Sequence, residues 1–173
     1  MSKRAPQFAR RERDFYPTPY EAVLPLIPHL RGVKTFAEPC AGEGHLVGHL
    51  QRHGLICSYE GDISSGYDAL TYRFEEDATF DAIISNFPWR RDILHPLIER
   101  CMSIAPTWII LDADWIHTKQ SAAFIDQCSH VVSVGRVKWI EDSKHTGKDN
   151  SCWLRFHAQH TGGPRFIGRE VAA

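Results

Sequence analysis

Short apolar runs separated by stretches of helical periodicity constrain this chain more than any other feature. Residues 33–37 read as a strand, a glycine-containing turn follows, and Leu46, Val47 and Leu50 then share one helix face. Gly54 suits the C-cap of that helix, and residues 55–60 form a second strand ending in the turn Asp62-Ile63-Ser64-Ser65-Gly66. After a third short segment, another strand is expected over residues 80–85. Beyond it Ile93, Leu94, Leu97, Ile98, Cys101 and Met102 recur at helical spacing, which requires Pro96 to fall in the first turn of that helix. Residues 107–111 are fully apolar and precede a helix through Ala122, Ala123, Phe124, Ile125 and Cys128. Residues 131–140 and 152–157 then read as two strands joined only by the polar loop 141–151. This order predicts an α/β fold: a mostly parallel sheet with helices on both faces, closed by a C-terminal antiparallel hairpin. In such sheets ligands bind beyond the carboxyl ends of the strands, so the strand ends are where chemistry is expected.

The totals fit that architecture. At 173 residues, 43% of them hydrophobic and 24% charged, the chain is sized for one packed domain of ordinary globular type. No apolar run approaches the roughly 20 residues needed to cross a bilayer. The opening stretch MSKRAPQFARRERD is basic without an apolar segment, so a cytoplasmic protein with no membrane association is expected. The five cysteines lack CxxC spacing and read as reduced core residues, and the ten histidines fall in no metal-binding spacing, so no metal is expected. A net charge of −1 argues against a surface dedicated to polyanions. Positive charge is nonetheless concentrated in residues 1–13 by Lys3, Arg4, Arg10, Arg11 and Arg13, an arm that either touches phosphates or is solvated. Residues 14–173 then form the single domain.

The first strand ends in Glu38-Pro39-Cys40-Ala41-Gly42-Glu43-Gly44. Gly42 and Gly44 let the backbone turn sharply and approach a ligand at a helix N-terminus. Val47 stands where a dinucleotide fingerprint needs its third glycine, and Glu38 is a poor neighbour for a pyrophosphate but a good one for an ammonium group. A cationic adenosine derivative fits better. Asp62 can accept from ribose hydroxyls, or simply initiate the turn before Ile63. Asp68, next to Ala69, can accept from an adenine amine or be a solvated loop acid. At the next strand end, Asn86 offers a side-chain carbonyl, the Phe87 carbonyl precedes the rigid Pro88, and Trp89 offers a flat face for stacking. Such a stretch suits a planar substrate bearing an amine.

These residues together resemble the class I S-adenosylmethionine-dependent methyltransferases, specifically the amino-methylating DNA enzymes of bacteria and phages. Residues 38–44 are similar to the family's first motif, Asp62-Ile63 to its ribose-binding acid, and Asn86-Phe87-Pro88-Trp89 to its catalytic (Asp/Asn/Ser)-Pro-Pro-(Tyr/Phe/Trp) motif. Asp14-Phe15-Tyr16-Pro17-Thr18-Pro19 resembles the segment that closes over the cofactor's methionine end. The resemblance covers residues 14–89 and implies a Rossmann-like, seven-stranded sheet with an antiparallel last strand. It also implies that S-adenosyl-L-methionine is held by Tyr16, Thr18, Glu38, Pro39, Gly42, Gly44, Asp62, Ile63, Asp68 and Ala69. Asn86, Phe87, Pro88 and Trp89 would be catalytic.

Two departures stand out. Phe87 replaces the usual proline, and no separate target-recognition domain is present. Target contact would fall to the arm, to residues 141–151 or 162–169, or to a partner subunit or second copy. The activity implied is methyl transfer to an exocyclic amine, foremost adenine N6 in DNA. RNA adenine, cytosine N4 and a protein glutamine amide present the same planar amine. A non-catalytic nucleic-acid-binding module of the same fold is the alternative outside the enzymes. Cys40, inside the cofactor loop, is misplaced for a covalent cytosine mechanism.

Overall fold

The computed structural model describes residues 16–140 and 146–170. The basic arm, Asp14, Phe15 and the start of the 141–151 loop lie outside the described residues. Seven strands form one sheet: β1 (Thr35–Glu38), β2 (Ile56–Glu60), β3 (Ala82–Ser85), β4 (Thr107–Asp112), β5 (Cys128–Arg136), β6 (Asn150–Phe156) and β7 (Arg165–Ile167). Their order is β2-β1-β3-β4-β6-β5-β7. Three α-helices accompany them: α1 (Tyr20–Val23), α2 (His45–Arg52) and α3 (Arg91–Ile104). From β1 the chain moves outward to β2 and then crosses back to place β3 on the other side of β1. That reversal opens a crevice at the carboxyl ends of β1 and β3.

Alternation along the central strands builds a core on each face. On β4, Trp108 and Ile110 join the cluster of Ala22, Val23, Leu26, Leu46 and Leu50, whereas Ile109 and Leu111 join Leu94, Leu97, Ile98 and Phe124. Helices therefore cover both faces, as the apolar strands required. Cys101, Cys128 and Cys152 are buried, and burial pushes their thiols up to about 12. Among the described residues no helix is long and apolar enough to cross a membrane.

The sheet differs from the sequence expectation in specific places. The expected antiparallel hairpin is β5–β6, with β6 inserted antiparallel between β4 and β5. The last strand, β7, comes from the 162–169 segment and pairs parallel with β5 at the far edge. No further strand forms between β2 and β3, so residues 66–70 are loop. Asp68 ties them into a turn through Leu70 N–H to Oδ1 (2.9 Å) and Tyr72 N–H to its carbonyl (2.7 Å), which leaves β2 as the other edge.

Two helix expectations also change. Helix α3 begins at Arg91, so Pro96 is its sixth residue and lies beyond the first turn. Pro96 and Asp92 are both exposed, and water can satisfy the Asp92 carbonyl that the proline leaves unbonded. The helix expected through residues 122–128 is replaced by three short 3₁₀ segments, Ala113–His117, Lys119–Ala123 and Ile125–Gln127. Ser121 Oγ donates to the Ile116 and Thr118 carbonyls at 3.0 and 2.7 Å, diverting acceptors that an α-helix would use. Cys128 belongs to β5 rather than to a helix.

Candidate active site

The ends of β1 and β2 are laced together through their backbones. Gly61 N–H donates to the Glu38 carbonyl (3.0 Å), Ala41 N–H donates to the Gly61 carbonyl (2.8 Å), and Gly42 N–H donates to Asp62 Oδ2 (3.0 Å). Gly44 sits at φ +77° as the N-cap of α2, and a Cβ there would lie 2.9 Å from Glu60 Oε1. Conformation and close approach both demand glycine at that turn. Asp62 meets the turn-forming alternative geometrically: its Oδ1 accepts from Ser64 N–H (2.8 Å) and Ser64 Oγ (2.6 Å), capping the 3₁₀ turn Ile63–Ser65. Ile63 stands out into solvent, 60% exposed.

Glu38 is the buried carboxyl of the site, 1% exposed. Its Oε1 accepts from Ser85 Oγ at 2.5 Å and from Cys40 N–H at 3.0 Å. Burial raises its pKa to about 8 against the lowering effect of those bonds, and Asp62 and Glu60 add to the rise. With Oε1 occupied by two donors, the proton of the neutral acid resides on Oε2. Burial, and after it the neighbouring Glu38, holds the Cys40 thiol well above its ordinary range, so a thiolate nucleophile is disfavoured there.

Asn86 follows Ser85 directly. Its Nδ2 donates to the Tyr16 carbonyl (3.1 Å) and to Thr18 Oγ1 (3.2 Å). A backbone carbonyl can only accept, so the amide nitrogen must face Tyr16, and Oδ1 is turned away as a free acceptor direction. Thr18 is buried, and its carbonyl lies 3.1 Å from His49 Nε2 on α2. His49 Nδ1 is buried without a partner, and burial lowers the pKa of the ring. A neutral ring protonated on Nε2 therefore satisfies the contact with Thr18.

A cleft of about 570 Å³ is lined by Tyr16, Thr18, Glu38, Pro39, Gly42, Asp62, Ile63, Asp68, Ala69, Asn86 and Pro88, together with residues not expected at the site, among them His45, Arg90, Ile93 and Leu97. That volume suits a nucleoside-sized ligand. Gly44, Phe87 and Trp89 do not line it. Phe87 is 1% exposed, packed in the core with Leu94 and Phe124. Trp89 is half-buried and meets Trp139 edge-on, with ring centroids 5.5 Å apart at 88°. The open stacking face expected of Trp89 is thus not part of the cleft, because the indole is turned to Trp139. Ser85 and His49 were missed as positioning groups. Ser85 was detectable as the strand residue beside Asn86, whereas nothing local marks His49.

No protein-family model matches the chain, and no curated protein matches it by sequence. Solved structures do. One described as a class I S-adenosylmethionine-dependent methyltransferase from Listeria monocytogenes superposes with a TM-score of 0.62 at 10% identity, over 94% of this chain and 68% of that one. The fold is that of the class I methyltransferases. A second similar structure, described as an RNA methyltransferase from Pyrococcus horikoshii, gives a TM-score of 0.58 at 16% identity, over 82% of this chain and 86% of that one. The type IIG restriction endonuclease BpuSI gives 0.55 at 12% identity; 84% of this chain covers 26% of that protein. The likeness to BpuSI is thus confined to about a quarter of its length.

Proposed function

We propose that this protein is an S-adenosylmethionine-dependent methyltransferase that modifies an exocyclic amine, adenine N6 in DNA, by direct displacement. The observation that carries this reading is the pair Ser85-Asn86. One residue fixes the buried Glu38 carboxyl, and the next presents a fixed amide to the same cleft. The donor set fits the cofactor. Glu38 with Asp62 suits an ammonium-bearing ligand, Asp62 and Asp68 offer oxygens for ribose and adenine, and Ile63, Ala69 and Leu70 give apolar surface for a ring. Gly42 and Gly44 keep the loop slim enough for a ligand to lie against it.

When bound, the cofactor supplies an electrophilic methyl group on a sulfonium. The chain's part is positioning and electrostatics. Asn86 Oδ1 accepts from the target amine, orients its lone pair and stabilises the positive charge that develops on nitrogen. Tyr16 and Thr18 hold the amide against rotation, and no covalent enzyme intermediate is required. A base in duplex DNA must leave the stack to reach this depth. The likeness to a restriction endonuclease agrees with a DNA substrate, and the likeness to an RNA methyltransferase keeps RNA adenine as the second reading. Incubation with labelled S-adenosylmethionine and separate DNA, RNA and protein pools, followed by nucleoside mass spectrometry, tests the proposal. N6-methyladenine in the DNA pool is expected, and label in protein alone would overturn it.

A further inference from the structure

A row of basic residues crosses the opposite end of the sheet. Backbone register places Trp108 of β4 beside Arg155 of β6, Arg155 beside His130 of β5, and His130 beside Arg165 of β7. Residues paired in this way project from the same face. The Trp108 and His130 rings lie 5.7 Å apart, and His29 approaches Trp108 at 6.4 Å. Like charges on neighbouring strands repel, and here two arginines on the same face flank one histidine. Among the described residues no ion pair engages Arg155 or Arg165. The half-buried Arg155 has one hydrogen-bond acceptor, Ser129 Oγ at 3.0 Å, for a five-donor guanidinium. That oxygen is already saturated. It donates to the Arg155 carbonyl (3.2 Å) and accepts from His130 Nδ1 (2.9 Å) as well as from Arg155. The charged and titratable groups acting on His130 are Arg155, His29, Arg165 and His160, and with burial they hold its pKa down.

Folding alone gives no reason to place two guanidinium groups on either side of His130 without a counter-charge. We propose that the row is a binding site for a phosphate-type oxyanion, held by the guanidinium groups of Arg155 and Arg165 on either side of His130. Planar guanidinium forks match the geometry of phosphate oxygens, and an anion here would relieve the mutual repulsion. The site lies at the amino ends of β4 and β5, away from the cleft at the carboxyl ends of β1 and β3, so it does not depend on the proposed methyl transfer. A free phosphate and the phosphodiester of a polynucleotide share this chemistry.

The test uses the full chain without methyl donor. Inorganic phosphate is titrated at ionic strength held constant with chloride, while thermal unfolding is followed. The wild type should show a saturable rise in Tm. Arg155→Leu and Arg165→Gln should each require at least about tenfold more phosphate, the expected loss for a charge-assisted contact. Absence of a saturable rise, or an equal rise in both variants, overturns the site. Should Arg155→Leu fail to fold, Arg165→Gln on the exposed edge strand carries the test alone. An oligothymidylate at matched phosphate concentration then separates the sources. Tighter, variant-sensitive binding of the oligomer points to a polynucleotide backbone, and binding no tighter than inorganic phosphate points to a small phosphate ligand.

Discussion

The two ends of this sheet handle charge in opposite ways. At the carboxyl end a carboxyl is driven into the interior at Glu38, is held by Ser85 and Cys40, and responds by raising its pKa to about 8. At the amino end Arg155 is half-buried and cannot respond in the same way, because burial lowers its pKa from a value far above neutrality. A carboxyl can neutralise itself, and so can live in a core until a cation arrives. A guanidinium stays charged and needs a counter-ion from elsewhere. The comparison shows why the acidic end can bury its carboxyl in the cleft wall while the basic row runs out to the exposed edge strand β7.

Changes at the carboxyl end test this most strongly. The largest effect is expected from Phe87→Ala, which empties a fully buried ring from the core beneath the cleft. Chemical denaturation should register a loss of about 3 to 5 kcal/mol. A loss under 1 kcal/mol would mean that the ring is not core packing. Proline at this position would incur a similar cavity, so an inactive Phe87→Pro variant must be checked for folding first.

Next is the pH dependence of stability. Glu38 has a folded-state pKa of about 8 against an ordinary 4.5, so the folded protein binds the extra proton in that window. Its contribution is fully present below about pH 4.5 and is lost as pH rises through 8. From about pH 5 to pH 8 the wild type should therefore lose roughly 2 to 4 kcal/mol relative to Glu38→Gln. Parallel stability curves for the two proteins would show that Glu38 is ionised in the folded state. The same titration couples to ligand. Affinity for S-adenosylhomocysteine, measured by calorimetry, should rise between pH 6 and 8 in the wild type and remain flat in Glu38→Gln.

Smaller effects follow from the amide. Asn86→Ala should keep S-adenosylhomocysteine affinity nearly intact and cut turnover by about a hundredfold, as for removal of a preorganised polar contact. Unchanged turnover would remove the amide from the chemistry. The smallest effect belongs to His49→Ala, which frees the Thr18 carbonyl and loosens Asn86 from a distance. About a fivefold fall in kcat with little change in KM is expected, and His49→Gln, which retains a donor, should recover most of it. Equal losses in kcat for Ala and Gln would sink this relay.

Local physics determined much of this molecule from sequence alone. Short, nearly continuous apolar runs separated by helical faces specified an α/β sheet, since such strands must be buried on both sides. Glycine turns and acids at the strand ends gave most of the cleft lining. Tertiary structure decided what depends on partners distant in sequence. The segment 162–169 became a strand only because β5 offered an open edge. Ser and Thr hydroxyls unravelled an expected helix. Trp89 turned to Trp139, fifty positions along the chain, and Phe87 became core rather than rim. The alignment of Arg155, His130 and Arg165 is likewise invisible in the sequence, because strand register, and not chain order, brings those charges into one row.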